Sequence, residues 1–201
     1  MKVAALPPMF RNTVASLLLA SAMLQPQPAL AAGWNLDQLM QSLALAKSGR
    51  ATFVEKKTIA MLDRPLESSG ELQYIAPDIL EKRTIKPKSE TMRVEGDVLT
   101  IVRGRQKFTL SLQQYPELAA FIDSIRGTLA GDRKALERAY TLKLEGGAQR
   151  WLLSLSPTDA KMATQIHLIQ ITGSADNVRS INVIQTDGDR SLMTIDRIAA
   201  Q

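Results

Sequence analysis

The sequence contains one histidine, His167, no cysteine and no glycine-rich phosphate-cradling motif. That leaves little for covalent chemistry. A serine triad, a histidine-paired nucleophile and a multi-histidine zinc site each need more than a lone imidazole supplies. His167 stands between Ile166 and Leu168-Ile169 and reads as a strand residue. Asp187-Gly188-Asp189 offers two carboxylates but lacks the other ligands of a calcium loop, and Asp-Gly between alternating residues is a hairpin signal. No enzyme, no metal site and no cofactor is expected.

What remains is binding chemistry, charged and apolar. Lys82, Arg83, Lys86, Lys88, Arg93, Arg103, Arg105 and Lys107 crowd residues 82–107. Such residues either solvate the outer face of a sheet or form a docking patch for an acidic partner or anionic lipid headgroups, with Lys82, Arg83, Lys86, Arg103 and Arg105 the candidates. The apolar residues need elements to place them on one face.

Those elements turn on Ser69–Pro87, two strand-like runs hinged at Ala76-Pro77-Asp78. Leu72, Tyr74 and Ala76 share one parity while Glu71 and Gln73 take the other, the pattern of a strand with one wet face. Pro77 supplies no donor, so the ladder breaks there. Upstream, Leu36, Leu39, Met40 and Leu43 recur at helical spacing behind a cap at Asn35 or Asp37, and Ala51 to Leu62 reads as a long strand carrying Phe53, Ile59 and Met61. Glu55 and Lys57 interrupt its apolar parity. Downstream, Met92 and Val94, then Val98 to Val102, then Phe108, Leu110 and Leu112 continue a meander, turned at Gly96-Asp97 and Gly104.

The period then changes. Pro116 is followed by Leu118, Phe121, Ile122, Ile125 and Leu129 at amphipathic helical spacing, stopped by Gly131, and Asp132 caps a second short helix. Alternation resumes in Leu142 and Leu144, a turn at Gly146-Gly147, then Trp151, Leu153 and Leu155, and three more strands follow over Ile166–Thr172, Val178–Gln185 and Arg190–Ile198. The count is about ten or eleven antiparallel strands, with a helix before them and a helical pair within.

Lys2 and Arg11, an apolar run from Val14 to Leu24 and the small residues Ala29 and Ala31 form a secretory signal peptide over residues 1–31, cleaved near Ala31-Ala32. The apolar run is too short for a membrane-spanning helix. The remaining 170 residues suit one domain, 32–201, and without Lys2 and Arg11 the chain holds 23 basic against 20 acidic side chains. That mild excess, and the absence of aromatic-basic interleaving, set nucleic acid aside. A soluble exported monomer is expected.

A single sheet with one apolar face must cover it by closing, by packing a helix or by binding something. Leu118, Phe121, Ile122 and Ile125 supply a helix able to lid that face. A filled core and a half-closed barrel whose lid moves aside for a lipid both satisfy the pattern.

The order of elements resembles the periplasmic outer-membrane lipoprotein carriers of the LolA type. The resemblance rests on an exported chain, an N-terminal helix, Phe53 in the next strand, Gly70-x-Leu72-x-Tyr74-x-x-Pro77, a central helical insert, Leu155-x-Pro157 and a closing Asp187-x-Asp189-x-Ser191 hairpin. It covers nearly the whole exported chain. Where the well-known carriers place a lid-holding arginine just before the proline, this chain has Ala76, and where they have a tyrosine-containing, proline-ended segment it has Leu99-Thr100-Ile101-Val102. The resemblance is therefore to a divergent branch.

It implies a mainly β fold with α, an open curved antiparallel half-barrel with helices lying over its hollow. It implies a periplasmic carrier that takes the acyl chains of a lipoprotein or other acylated lipid from an inner-membrane exporter towards an outer-membrane acceptor. Parity and helix face assign the hollow to Phe53, Leu72, Tyr74, Leu80, Met92, Leu110, Trp151 and Leu153, and the lid to Leu118, Phe121, Ile122 and Ile125. The rival readings are a periplasmic sensor domain that binds a membrane-anchored protein partner and an adaptor with a filled core.

Overall fold

The first and last strands of the chain lie side by side. In the computed structural model, which describes residues 34–199, α1 (Leu36–Ala44) precedes six strands: β1 (Ser48–Thr58), β2 (Leu66–Ile75), β3 (Ile79–Lys86), β4 (Glu90–Glu95), β5 (Val98–Arg103) and β6 (Gln106–Ser111). A short 3-10 turn, Leu112–Gln114, leads into α2 (Pro116–Ala130) and α3 (Arg133–Glu137). Then come β7 (Tyr140–Gly147), β8 (Arg150–Pro157), α4 (Ala160–Ala163), β9 (Ile166–Ser174), β10 (Asn177–Gln185) and β11 (Arg190–Arg197). All eleven strands form one sheet in the order β6-β5-β4-β3-β2-β1-β11-β10-β9-β8-β7. Every neighbour is antiparallel, and β1 joins the two meanders by pairing with both β2 and β11. The edge strands β6 and β7 do not pair with each other, so the sheet is an open half-barrel. The signal-peptide reading and its cleavage site lie outside the described residues.

Local sequence explains the helix boundaries. The Asn35 side chain accepts the Gln38 backbone N–H at 3.0 Å while the Gln38 side chain accepts the Asn35 N–H at 3.1 Å, a reciprocal cap that fixes the start of α1. Pro116 occupies the first turn of α2, where no N–H is needed, and Gly131 ends it in the left-handed region at φ 66°. A Cβ at Gly131 would strike the Met40 carbonyl oxygen of α1, so this glycine also lets the two helices meet.

Three boundaries differ from the pattern-based expectation. The first strand runs over Ser48–Thr58 rather than Ala51–Leu62, because the helix stops early enough for Ser48 to pair with Ile75. The Gly146-Gly147 reversal is displaced: both glycines belong to β7, Gly147 pairs with Arg150, and the chain turns at Ala148-Gln149. The four-residue α4 was not anticipated; Asp159 caps it by accepting the Met162 N–H at 2.9 Å, and Met162 is buried.

The concave face is packed in two separate places. Over β7 to β9, Leu39, Met40 and Leu43 of α1 and Leu136 of α3 form one buried cluster with Tyr140, Trp151, Leu153, Leu155, Met162, Ile169 and Ile171. Over β4 and β5, Val94 and Leu99 bury against Leu112 and Ile122. Tyr140 ties the covering helix to the first cluster, its hydroxyl donating to the Ala120 carbonyl of α2 at 3.2 Å. Burial pushes that phenol up to about 12, so it stays a donor at any physiological pH. This division makes a test: Leu153→Ala should destabilise the protein by about 2–5 kcal/mol. Met193→Ala, on the unfilled stretch of the same face, should cost below about 1 kcal/mol, both read from urea unfolding midpoints at constant m value.

Candidate functional site

Between the two packed regions, the strands in the middle of the sheet curve around a cavity of about 810 Å³. Strand parity sets its walls. Gly49, Ala51, Glu55 and Lys57 of β1 share the concave face with Leu72 and Tyr74 of β2, with Leu80 and Lys82 of β3, and with Met92, Val94 and Leu99 of β4 and β5. Met193 and Ile195 of β11 and Ile181 and Val183 of β10 complete the opposite wall. Leu118, Phe121, Ile122, Ile125 and Leu129 of α2 come down on it from above.

Of the residues assigned to the hollow from sequence, Leu72, Tyr74, Leu80 and Met92 line it, and so do all four of the lid. Phe53, Leu110, Trp151 and Leu153 do not. Trp151 and Leu153 point to the concave side, as their parity requires, but α1 and α3 fill that part of the face and bury both completely. Leu110 packs against the second cluster beneath the start of α2. Phe53 is buried because Lys82 lies across it, the ammonium 4.9 Å from the ring centroid.

Lys82 is therefore misplaced in the proposed outer patch as well, since it turns into the hollow. It reaches from β3 across β2 to Glu55 of β1, making a 2.5 Å contact with Oε2. The intervening strand presents Gly70 there, opposite Phe53, and its ladder with β3 bulges between Ser69 and Gly70. A Cβ at Gly70 would collide with the Arg83 carbonyl. Glu55 also accepts Ser68 Oγ at 3.3 Å and Ser191 Oγ at 2.6 Å, and Lys57 stands 3.8 Å from Oε1. Burial alone would raise the pKa of Glu55; hydrogen bonds from Lys82 and Ser191 and the charges of Lys82 and Lys57 outweigh it and hold the carboxyl below its ordinary value. Glu55 and Lys57 were the residues that broke the apolar parity of the first strand. The broken alternation was the signal.

The other candidate docking residues lie outside the hollow. Arg83 alternates with Lys82 and is exposed on the outer face. Lys86, Arg103 and Arg105 sit at the end of the sheet that also holds Thr58 and the β10–β11 turn, with Arg103 paired to Glu90. His167 is exposed beside a bulge at the start of β9. The Asp187–Asp189 segment is a hairpin turn whose Asp189 carboxylate accepts the Ala60 N–H at 2.8 Å.

The covering helix is fastened at a place the sequence did not advertise. Arg126 of α2 donates to the Gly96 carbonyl in the β4–β5 turn at 2.5 Å and pairs with Asp123 at 3.5 Å. Gly96 is thus tied to the helix above, on the flank opposite the Tyr140–Ala120 bond.

An open antiparallel sheet curved around an apolar hollow, with an internal helix across it, defines the class: a lidded half-barrel. A family model described as outer membrane lipoprotein carrier protein LolA-like matches residues 28–200, and the chain belongs to that family. Among solved structures, it is similar to a LolA superfamily protein from Nitrosomonas europaea at 11% identity, covering 81% of this chain and 93% of that one with a TM-score of 0.41. The MucA/MucB complex of Pseudomonas aeruginosa matches at 15% identity over 83% of this chain and 58% of that one, with a TM-score of 0.48. A putative outer membrane lipoprotein-sorting protein domain from Vibrio parahaemolyticus matches at 10% identity over 84% and 93%, with a TM-score of 0.42. No curated protein matches the sequence. Among the described residues, no helix is long and apolar enough to cross a membrane.

Two outcomes follow from this geometry. Because the folded pKa of Glu55 is depressed, its pairing contributes fully above the ordinary value of 4.5 and is lost as pH falls through the lower folded value. Glu55→Gln should lower stability at pH 7 by about 1–3 kcal/mol and flatten the loss of stability below pH 4.5, measured by denaturant unfolding across pH. Arg126→Ala should speed amide hydrogen exchange in α2 by about fivefold or more while leaving β9 unchanged, the loss of about one charge-assisted hydrogen bond.

Proposed function

We propose that this protein is a periplasmic carrier: after removal of residues 1–31 it binds the acyl chains of a lipoprotein or another acylated lipid, and passes them from an inner-membrane exporter towards an outer-membrane acceptor. The observation that carries the reading is the covered hollow itself, about 810 Å³ between two regions packed to completion. That volume falls among those of small-molecule sites, and most of its wall surface is apolar, with charged side chains set among the aliphatic ones. The family membership points the same way.

Binding is non-covalent in this reading. Each methylene that leaves water for the hollow contributes up to about 0.8 kcal/mol. Leu72, Tyr74, Leu80 and Met92 form the floor under a chain; Leu118, Phe121, Ile122 and Ile125 form its cover. Phe53, Leu110, Trp151 and Leu153 support those walls without touching cargo. Loading and release require α2 to lift, which breaks the Arg126 fastening and exposes Leu118 and Ile125. Lys86, Arg83, Arg103 and Arg105 are proposed to meet the donor or acceptor at the membrane-facing rim. The protein works as a monomer.

Native mass spectrometry of the mature protein, purified from the periplasm without detergent and followed by organic extraction, tests this. A stoichiometric lipid is expected, and its mass distinguishes lipoprotein acyl chains from another lipid class. Ile125→Glu, which charges the cover at a position outside both packed clusters, should abolish co-purifying lipid and leave the unfolding midpoint within about 1 kcal/mol of wild type. An apo mass that stays unchanged when lipoprotein or phospholipid is offered refutes the carrier and favours the adaptor.

A further inference from the structure

One group of side chains in the hollow is not explained by an acyl chain. We propose that Lys57, Glu55 and Lys82 form a headgroup site that holds the anionic group of the cargo, a phosphate or a carboxylate, while its chain lies against the aliphatic walls. This rests on the carrier reading and names the class of amphiphile it takes.

The carboxylate at the centre has no capacity left for a ligand. Glu55 Oε2 takes Lys82 and Ser68, and Oε1 takes Ser191 and faces Lys57. The two ammonium groups are not used up in the same way. Each carries three N–H donors; Lys82 spends one on Glu55, and Lys57, at 3.8 Å, is held only loosely and its side chain is 53% exposed. Two cations share one anion, which leaves one positive charge uncompensated. Asp189 also lines this end, but its carboxylate is directed at the Ala60 N–H and makes no ion pair with Lys57 or Lys82 among the described residues.

The rest of the wall is different. Arg50 has Glu71 at 3.7 Å and Arg197 has Asp176 at 2.9 Å, so the cations at the other end of β1 and β11 each have an acid of their own. Glu81 is held by Arg93 at 3.2 Å, and Glu117 opens α2 next to the β6 edge. Unpaired positive charge is thus confined to one end of the hollow. Lys82, paired with Met92 across the strands, is the more shielded of the two lysines, and an anion that bridges it and Lys57 gains charge-assisted hydrogen bonds from both. Neutral or cationic heads gain nothing there. Glu55 holds Lys82 in place before cargo arrives and leaves Lys57 free to close on the head.

The mature protein is titrated calorimetrically with four amphiphiles of one chain length below their micelle concentrations: a lysophosphatidic acid, a fatty acid, a monoacylglycerol and an alkyltrimethylammonium. Both anionic ligands should bind about tenfold or more tightly than the neutral one, and the cationic one most weakly. A preference for the lysophosphatidic acid identifies a phosphate head, and a preference for the fatty acid a carboxylate. Lys57→Met keeps the Glu55–Lys82 pair and should leave the unfolding midpoint unchanged while cutting the anionic advantage about tenfold and sparing the neutral ligand. Equal affinity for anionic and neutral ligands, or an equal loss of both in Lys57→Met, overturns the headgroup site and leaves the carrier standing. If none of the four binds, the carrier reading itself falls.

Discussion

A single-layer antiparallel sheet buries nothing by itself. Eleven strands here present one largely apolar face, and among the described residues the helices able to cover it are three short ones and one of fifteen residues. They are not enough. The sheet bends so that its flanks approach the helices, and the flanks are sealed: α1 and α3 complete one region and the start of α2 the other. The centre stays uncovered from within, which is why the cavity sits under the strands of the N- and C-terminal halves where they join at β1. The hollow follows from the ratio of sheet to helix.

The same constraint explains the ion pair in the floor. A strand at the centre of a curved sheet has its concave side chains pressed together, and an unrelieved apolar floor of Phe53 would be exposed to whatever fills the cavity. Lys82 spans β2 to cover the ring and terminates on Glu55, and Gly70 beside the crossing lets the β3 backbone at Arg83 come close to β2. Removing one partner of this pair leaves the other charge partly buried and unpaired, so Glu55 and Lys82 constrain one another. The pair places charge in the floor of the hollow.

Strand existence and facing were legible in the sequence because parity is a local property. Leu72 with Tyr74, Leu80, Met92 and the face of α2 all follow from alternation or helical spacing, and the Pro77 hinge marks the β2–β3 hairpin. What lies above a given strand is not local. Trp151 and Leu153 carry the same pattern as Leu72 and Tyr74, yet α1, more than a hundred residues away, fills the space over them. The opposite wall, Ile181, Val183, Met193 and Ile195, was legible by the same parity but could be assigned to the hollow only once β11 was known to pair with β1. The charges were visible as defects: Glu55 and Lys57 disturbed an apolar parity, and a broken pattern in an otherwise regular strand marks a residue kept for something other than packing.

The lid poses an energetic problem that the two fastenings help to resolve. The helix α2 is held by Ile122 in the second cluster, by the Tyr140 bond to Ala120 and by Arg126 on Gly96. Ile125 stands outside both clusters and contributes less than its size implies, whereas Leu118 also packs against the second. On the proposed reading, an entering chain completes those contacts and tightens the lid, so cargo and closure reinforce each other. Release then cannot come from the chain alone. A partner that takes the Gly96 turn or the rim near Thr58 would break the Arg126 hydrogen bond or compete for the positive end of the hollow, and either change lowers affinity where a handover needs it lowered.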